Sequence, residues 1–154
     1  MDNPKVIVGK NKLGQCLVAG EDIIAGELIA EFDGEIYGAE KCTDLPKDVA
    51  DHAIQFAEHQ WKDSKGIARY INHSCSPNCK IQDSFLLVAK HAIPKGQELT
   101  WDYGMTEDSD WRMVCHCGEP NCRNIIGSFA LVPEDVIKAN RNDISNWLLA
   151  KYDL

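Results

Sequence analysis

The sequence predicts a mainly β domain built from short strands, with short helices near the C-terminus. Short apolar runs alternate with breaks that contain Gly, Pro or Asp, a pattern typical of strands joined by turns. Helix-start signals are concentrated in the last part of the chain. The length of 154 residues and a hydrophobic content of 44% fit one globular domain with one core.

Five segments are predicted to form strands. In chain order they are Val6–Val8, Cys16–Ala19, Leu28–Phe32, Phe85–Ala89 and Glu98–Trp101. Glycines bound the first three, and a Pro-Lys-Gly turn signal precedes the last. Phe85–Ala89 is a continuous apolar run and is therefore predicted to be the most clearly buried strand.

Helices are predicted in three places. Residues 40–53 are expected to hold a short, irregular helix that Pro46 interrupts. The sequence Pro133-Glu134-Asp135 begins a second helix, because proline and acidic residues favour the first turn. Asp143 is expected to cap a third helix that continues through Trp147-Leu148. We expect its apolar face to pack on the core, with a homodimer contact as the alternative.

The charge balance bears on partners. The chain has 16 Lys and Arg residues against 24 Asp and Glu residues, a net charge of -8. This disfavours direct binding of nucleic acid through a broad basic surface. It suits a basic partner, although the same charge also serves solubility alone.

The polar N-terminus does not resemble a secretory signal, and no apolar run is long enough to span a membrane. We therefore expect an intracellular protein that does not bind membranes.

The cysteines predict a metal site. There are seven, an odd number with clustered spacing, which favours metal binding over disulfides. Cys115, Cys117 and Cys122 form a C-x-C-x4-C cluster that suits one tetrahedral zinc ion with a fourth ligand. The loop over residues 72–79 offers that ligand from His73, Cys75 or Cys79, and spacing alone does not choose among them. Cys16 and Cys42 stand apart and are expected to be buried free thiols.

The same loop allows a second chemical interpretation. His73 and Cys75 are a possible base and nucleophile, as in thiol hydrolases. Such pairs meet in space rather than in sequence, and no other hydrolase motif accompanies them. The hydrolase hypothesis is therefore the weaker of the two.

Four segments, in this order along the chain, resemble motifs of the SET-domain protein-lysine methyltransferases. They are Glu31–Glu35, Arg69–Cys79, Glu98–Gly104 and Cys115–Gly127. The last resembles the zinc module that follows the SET domain, called post-SET. The resemblance covers roughly residues 5 to 127 and predicts a SET domain over 1–110, a post-SET zinc module over 111–127 and a C-terminal helical extension over 128–154.

The resemblance implies both fold and reaction. The fold is a SET-type set of small β-sheets, in which a C-terminal segment is threaded through a loop formed by the Asn-His motif. The reaction transfers a methyl group from S-adenosylmethionine to a lysine side chain of a protein substrate, expected to be a histone or another basic protein. Small free-standing domains of this kind resemble bacterial or viral members. The location would be cytoplasmic in a bacterium, with a nuclear one possible for a eukaryotic or viral protein.

The resemblance also assigns roles to residues. Tyr103 matches the catalytic tyrosine, and Trp101 lies in the substrate lysine channel. The cofactor-binding residues would be Leu13, Gly14, Gln15, Tyr70, Asn72 and His73. One structural zinc ion would be held by Cys75, Cys115, Cys117 and Cys122. Cys79 would then be a packing residue.

Two positions depart from the family pattern. The Gly-x-Gly cofactor motif is Gly14-Gln15-Cys16 here, and Trp101 stands where Phe or Tyr is usual. The first departure is the one feature that favours the alternative of a catalytically silent, peptide-binding SET fold. The second predicts that mono- or dimethyl-lysine dominates the products, because a bulky indole restricts the channel.

Overall fold

The computed structural model describes residues 2–154 and begins with a β-hairpin. Strand β1, Val6–Asn11, pairs antiparallel with β2, Gly14–Ala19, and Asn11 lies opposite Gly14. Only two residues therefore form the turn. Gly14 adopts a φ of +118°, a backbone conformation that side chains with a Cβ rarely adopt.

Ten further short strands follow. They are β3 Leu28–Glu31, β4 Ile36–Gly38, β5 Ile54–Ala57, β6 Gln60–Lys62, β7 Asn72–His73, β8 Cys79–Gln82, β9 Leu86–Ala89, β10 Glu98–Trp101, β11 Met113–Val114 and β12 Ile125–Ile126. Four sheets result, with strand orders β1-β2-β10-β7, β3-β9-β8, β4-β6-β5 and β11-β12. The neighbours β10 and β7 run parallel, while the other pairs are antiparallel.

The predicted fold class, a mainly β domain of small sheets with short helices, is confirmed. All five predicted strands occur with boundaries within a few residues of the prediction. The strand predicted within Phe85–Ala89 is β9, whose Leu87 is fully buried. The main core lies between the sheets, where Leu17, Ile29 and Leu99 are also fully buried.

The three helices are short, each of six residues: α1 Lys47–His52, α2 Glu134–Ala139 and α3 Asn146–Lys151. Pro46 and Pro133 lie immediately before α1 and α2, where their missing N–H costs no helical hydrogen bond. The predicted cap at Asp143 is wrong. Ser145 precedes α3, while Asp143 ends a separate 3-10 turn and pairs with Lys90.

The C-terminal extension covers its apolar face within its own chain. A second core cluster contains Met105, Phe129, Val132, Ile144 and Leu148. The indole Nε1 of Trp147 also donates to the carbonyl of Thr106 at 3.0 Å. The extension is thus fixed to the segment that follows β10. Within residues 2–154, no helix has both the length and the apolar character needed to cross a bilayer.

Candidate active site

The Asn-His loop is bonded along the length of β10. Ser74 N donates to Trp101 O at 3.1 Å, and Thr100 N donates to the side-chain oxygen of Asn78 at 2.9 Å. The Asn78 amide also donates to Glu98 O at 2.8 Å. Two motifs that lie about 25 residues apart in sequence are therefore held side by side.

Tyr103 lies two residues after the end of β10, among aromatic rings. Its ring centroid is 5.1 Å from that of Trp101, 6.1 Å from that of Trp111 and 5.3 Å from that of His73. Its hydroxyl donates to the carbonyl of Ile71. Burial raises the pKa of the Tyr103 hydroxyl above its ordinary value, so this group stays protonated at neutral pH.

Tyr103 also lines a cleft of about 400 Å³, which we call the aromatic cleft. Its other walls include Phe32, Ile71, Trp101, Glu107 and Trp111. The Trp101 indole N–H is buried and has no hydrogen-bond partner among the described residues. A buried donor without a protein partner is costly unless water or a bound group supplies the missing bond.

Two larger clefts adjoin this one. An outer cleft of about 1200 Å³ is lined by residues that include Leu13, Asn72, His73, Glu98 and His116. A middle cleft of about 950 Å³ is lined by Leu13, Gln15, Tyr70, Asn72 and Tyr103, among others. The middle cleft shares Leu13 and Asn72 with the outer cleft, and Ile71, Tyr103 and Trp111 with the aromatic cleft. The three clefts are therefore contiguous, in the order outer, middle and aromatic. Tyr103 forms part of the wall between the middle cleft and the aromatic cleft.

The side chain of His73 is nearly completely buried although the residue lines the outer cleft. Its Nδ1 accepts the N–H of Tyr103 at 3.1 Å, and its Nε2 lies 3.3 Å from Cys75 Sγ. Both ring nitrogens are thus engaged inside the protein. Burial lowers the pKa of His73 to about 4, which keeps the ring neutral.

Four cysteines converge beside this histidine. The Sγ atoms of Cys75, Cys115, Cys117 and Cys122 all lie within 4.8 Å of one another. A tetrahedral zinc ion with Zn–S bonds of 2.3 Å would place its sulfur atoms about 3.8 Å apart, so this arrangement fits such an ion with small adjustments. Cys79 lies outside the group. Burial raises its pKa to about 12, as expected of a packed thiol.

An ion pair ties the cysteine segment to the strand end beside Tyr103. The guanidinium of Arg123 donates two hydrogen bonds to the Asp102 carboxylate, at 2.7 and 2.8 Å. The backbone nitrogen of Arg123 lies 3.4 Å from Cys75 Sγ. Gly104 leaves room for this contact, because a Cβ there would lie 2.8 Å from Val132 and 3.1 Å from the guanidinium. Asp102 therefore has a defined positional role that the sequence did not reveal.

The altered Gly-x-Gly motif leaves the clefts open. Cys16 is 3% exposed, packs near Gly9 of β1 and lines none of the three clefts. Leu13 and Gln15 do line the clefts, whereas Gly14, the first residue of β2, is not part of a cleft wall. The cysteine side chain thus points into the core, away from the space where a cofactor would lie.

Sequence reasoning missed several residues of the site. Glu107, Trp111 and His52 line the aromatic cleft, His91 lines the outer cleft, and Arg123 binds Asp102. Four of the five lie outside the motif segments, and Arg123 lies within the post-SET segment without a role that spacing reveals. Their positions in the site depend on chain segments that meet only in three dimensions.

Comparison with known proteins places this geometry in a family. The family model described as "SET domain" matches residues 14–104, more than half of the chain. The chain belongs to the SET domain family. The match contains β10, the Asn-His loop and Tyr103, so the family resemblance seen in the sequence is confirmed.

Curated relatives share most of this chain. It is 31% identical over 137 residues to a histone-lysine N-methyltransferase of Cryptococcus neoformans described as H3 lysine-36 specific, covering 79% of this chain and 16% of the relative. It is 32% identical over 145 residues to the Arabidopsis thaliana histone-lysine N-methyltransferase ASHH3, covering 79% of this chain and 38% of that one. The chain therefore spans well under half the length of these SET-domain relatives.

A solved structure also matches the fold. The crystal structure of KRYPTONITE in complex with mCHH DNA, an H3(1–15) peptide and SAH superposes with a TM-score of 0.60 at 29% identity. The match covers 78% of this chain and 29% of that protein. Its SET-type architecture agrees with the sheets described above.

Proposed function

We propose that this chain methylates lysine side chains of a protein substrate, using S-adenosylmethionine as the methyl donor. The observation that carries the proposal is the position of Tyr103 in the wall shared by the middle and aromatic clefts. A donor entering from one side and a lysine entering from the other would meet there. The relatives and KRYPTONITE support this chemistry by their names and by the SAH bound in that structure.

The outer and middle clefts have the groups needed to hold the donor. When bound, S-adenosylmethionine supplies an electrophilic methyl group on a sulfonium centre. Leu13 offers apolar contact, and the backbones of Asn72 and His73 offer hydrogen bonds, because the His73 ring is already engaged. Gln15 and Tyr70 line the adjoining middle cleft.

The aromatic cleft suits the lysine. A free lysine has a pKa of about 10.4, and an apolar, water-poor environment disfavours its charged form. The rings of Phe32, Trp101 and Trp111 provide such walls. Because the Tyr103 hydroxyl donates to Ile71 O, its oxygen retains lone pairs that can accept an N–H from the amine and orient it.

The cysteine cluster would hold one structural zinc ion. Four thiolates complete a tetrahedral site and leave no open position for catalysis by the metal. Its role is to join the loop that carries Cys75 to the segment 115–122, beside the outer cleft. On this proposal, 111–127 is a post-SET zinc module, 1–110 is the SET domain and 128–154 is an extension that supports them.

The substrate is proposed to be a basic protein, with histones as the first candidates. The net charge of -8 favours a basic partner, and the relatives are named histone methyltransferases. KRYPTONITE was crystallised with an H3 peptide, which places a lysine-containing segment in a related fold. A histone substrate would put the protein in the nucleus of a eukaryotic cell.

The two alternatives are weaker. The silent-module hypothesis rested on Cys16, and that side chain lies outside the clefts. The thiol-hydrolase hypothesis gains a short His73–Cys75 distance of 3.3 Å. However, Cys75 is only 6% exposed, and its sulfur lies among three other thiols in an arrangement that suits metal binding rather than attack on a carbonyl.

The test is methyl transfer from a labelled donor to an array of lysine peptides, compared between the natural protein and Tyr103→Phe. We expect the variant to fold and to bind S-adenosylmethionine, seen as a raised melting temperature, but to lose most of its turnover. Near-normal turnover would contradict the role of Tyr103. Cofactor binding without transfer by the natural protein would instead support the silent module.

A further inference from the structure

Glu107 is a buried carboxylate at the wall of the aromatic cleft. It is 7% exposed. Trp61 Nε1 donates to its Oε2 at 3.1 Å, and Ser109 Oγ donates to the same oxygen. Both donors therefore use one oxygen. The other, Oε1, has no hydrogen-bond partner among residues 2–154.

The backbone places Glu107 one helical turn after Tyr103. Glu107 N donates to Tyr103 O at 3.1 Å. Residues four apart on such a turn lie on the same face, with Cβ atoms about 5–6 Å apart. Both side chains line the same cleft of about 400 Å³. Glu107 and Tyr103 thus both line one space that would receive the lysine amine.

Glu107 has ionisable neighbours on several elements. The ionisable ones are Asp108 and Asp110 of its own segment, Cys42 of the turn before α1, Asp51 and His52 of α1, Arg69 of the turn before β7, and Tyr103. Arg69 is already paired with Asp48 and Asp63. None of the hydrogen bonds described for Glu107 comes from a cationic side chain.

Burial raises the pKa of Glu107 to about 7, and the hydrogen bonds from Ser109 and Trp61 only partly oppose this effect. The neighbouring carboxylates of Asp108 and Asp110 raise the pKa further. A group whose pKa lies near the working pH is well suited to accept and release a proton.

We propose that Glu107 is the proton acceptor for the substrate lysine in the aromatic cleft. The proposal rests on the proposed function, because it requires a lysine to enter this cleft. It differs from the role of Tyr103, which orients the amine and stays protonated. It also accounts for a buried acidic group in a channel that is otherwise built from aromatic and aliphatic walls.

The proton balance is simple. A lysine enters as its ammonium form beside the Glu107 carboxylate, so the pair has no net charge. One N–H bond of the ammonium breaks and one O–H bond forms on Glu107, leaving a neutral amine and a neutral carboxylic acid. The amine lone pair is then free for methyl transfer, and Glu107 releases its proton to solvent before the next turnover.

The test is a pH–rate profile measured under single-turnover conditions with saturating peptide and donor. For the natural protein we expect the rate to rise through the Glu107 pKa and then to level off. Glu107→Gln keeps the size of the side chain and an oxygen to accept from Trp61 and Ser109. At pH 7 its rate should be lower by about a hundredfold, because the lysine must then lose its proton to solvent.

The same profile separates chemistry from structure. The Glu107→Gln rate should rise about tenfold per pH unit and approach the natural rate at high pH, with little change in KM. A rate ratio that stays constant with pH would overturn the proposal. Glu107→Asp retains a carboxylate and should keep the natural shape of the profile at a lower rate. If the Gln variant does not fold, loss of that shape in the Asp variant contradicts the assignment.

Asp143→Asn is the matched control. It makes the same carboxylate-to-amide change at another buried position, where the partner is Lys90 and the aromatic cleft is not involved. Its pH–rate profile should match that of the natural protein. Failure of the natural protein to methylate any lysine peptide would contradict the proposed function itself, whereas methylation with a pH-independent Gln effect would contradict only the role of Glu107.

Discussion

The two sides of Tyr103 are built in opposite ways. On one side, the ring of His73 and the Asp102–Arg123 pair form a closed network with the cysteine cluster. On the other side, at the walls of the aromatic cleft, Trp101 has a buried Nε1 without a partner, and one oxygen of Glu107 accepts no hydrogen bond from residues 2–154.

The difference separates support from recognition. A buried polar network whose members are all paired fixes one geometry, because breaking any bond leaves an unpaired group behind. Buried polar atoms without partners are costly for the isolated protein and are expected where a ligand supplies the missing bonds. The closed side should therefore control metal binding and stability, and the open side should control chemistry and product.

The largest effect is expected from removing one of the four proposed zinc ligands on the closed side. Cys75→Ala should lower the zinc content from one ion per chain to well below one and abolish activity, because structural zinc contributes much of the local folding free energy. Cys79→Ala, in the same loop but outside the cluster, should leave the zinc content unchanged. Metal analysis of both variants decides this. Equal zinc content in the two would refute Cys75 as a ligand.

Chelation tests how far that disruption spreads. We expect chelation to abolish activity while the β core stays folded, because the main core cluster contains none of the four cysteines. Far-UV circular dichroism should therefore change little when the zinc is removed. Complete unfolding would show that the cluster supports the whole domain.

Next in size is the buried ion pair. Arg123→Ala should lower the free energy of unfolding by about 3–5 kcal/mol, because it leaves the Asp102 carboxylate buried without its partner. The Asp102 side chain is 5% exposed, so water cannot replace the lost bonds. Arg141→Ala, at an exposed position, should change the free energy of unfolding by less than about 0.5 kcal/mol. Urea denaturation provides both values, and equal losses would show that the pair contributes no stability.

A somewhat smaller effect on the free energy of unfolding is expected from the titration of Glu107, on the open side. The pKa of Glu107 is about 7 in the folded protein against an ordinary value of 4.5, so the folded state holds this proton more tightly. Its contribution to stability is complete below pH 4.5 and is lost as pH rises to about 7. The loss amounts to about 3 kcal/mol, given 1.36 kcal/mol per pKa unit.

Glu107→Gln removes this titration and isolates it from other carboxylates. The stability difference between the variant and the natural protein should therefore shift in favour of the variant between pH 5 and pH 8. Urea denaturation at the two pH values measures this shift. A difference that does not change with pH would mean that Glu107 titrates near its ordinary value.

The smallest effect is expected on the number of methyl groups added. Trp101 packs against Tyr103 and Phe32 and lines the aromatic cleft, so its bulky indole restricts the space that an added methyl would need. We expect mono- or dimethyl-lysine from the natural protein and a shift toward higher methylation in Trp101→Phe. Intact-mass spectrometry of a peptide at long reaction times measures the distribution. Mostly trimethyl-lysine from the natural protein would show that the indole does not restrict the site.

The strands were largely predictable because their signal is local. Short apolar runs between glycines and prolines specify β2, β9 and β10 whatever lies around them. The start of α3 was not predicted correctly, since Asp143 is used in a turn and an ion pair with Lys90 rather than as a cap. A cap preference is weak, and a tertiary ion pair readily overrides it.

The sequence by itself determined the family, the position of Tyr103 in the motif Glu98–Gly104 and the presence of a thiol cluster suited to zinc. These depend on residues close together in the chain. Spacing left the fourth zinc ligand open, the family resemblance named Cys75, and the tertiary structure brings Cys75 to the other three thiols. The tertiary structure alone decided that Arg123 pairs with Asp102 and that Glu107 lines the same cleft as Tyr103. The reason is physical: the first two contacts join residues 21 or more positions apart, and the third depends on which face of a turn is buried. No local sequence pattern encodes a long-range contact or the buried face of an irregular turn.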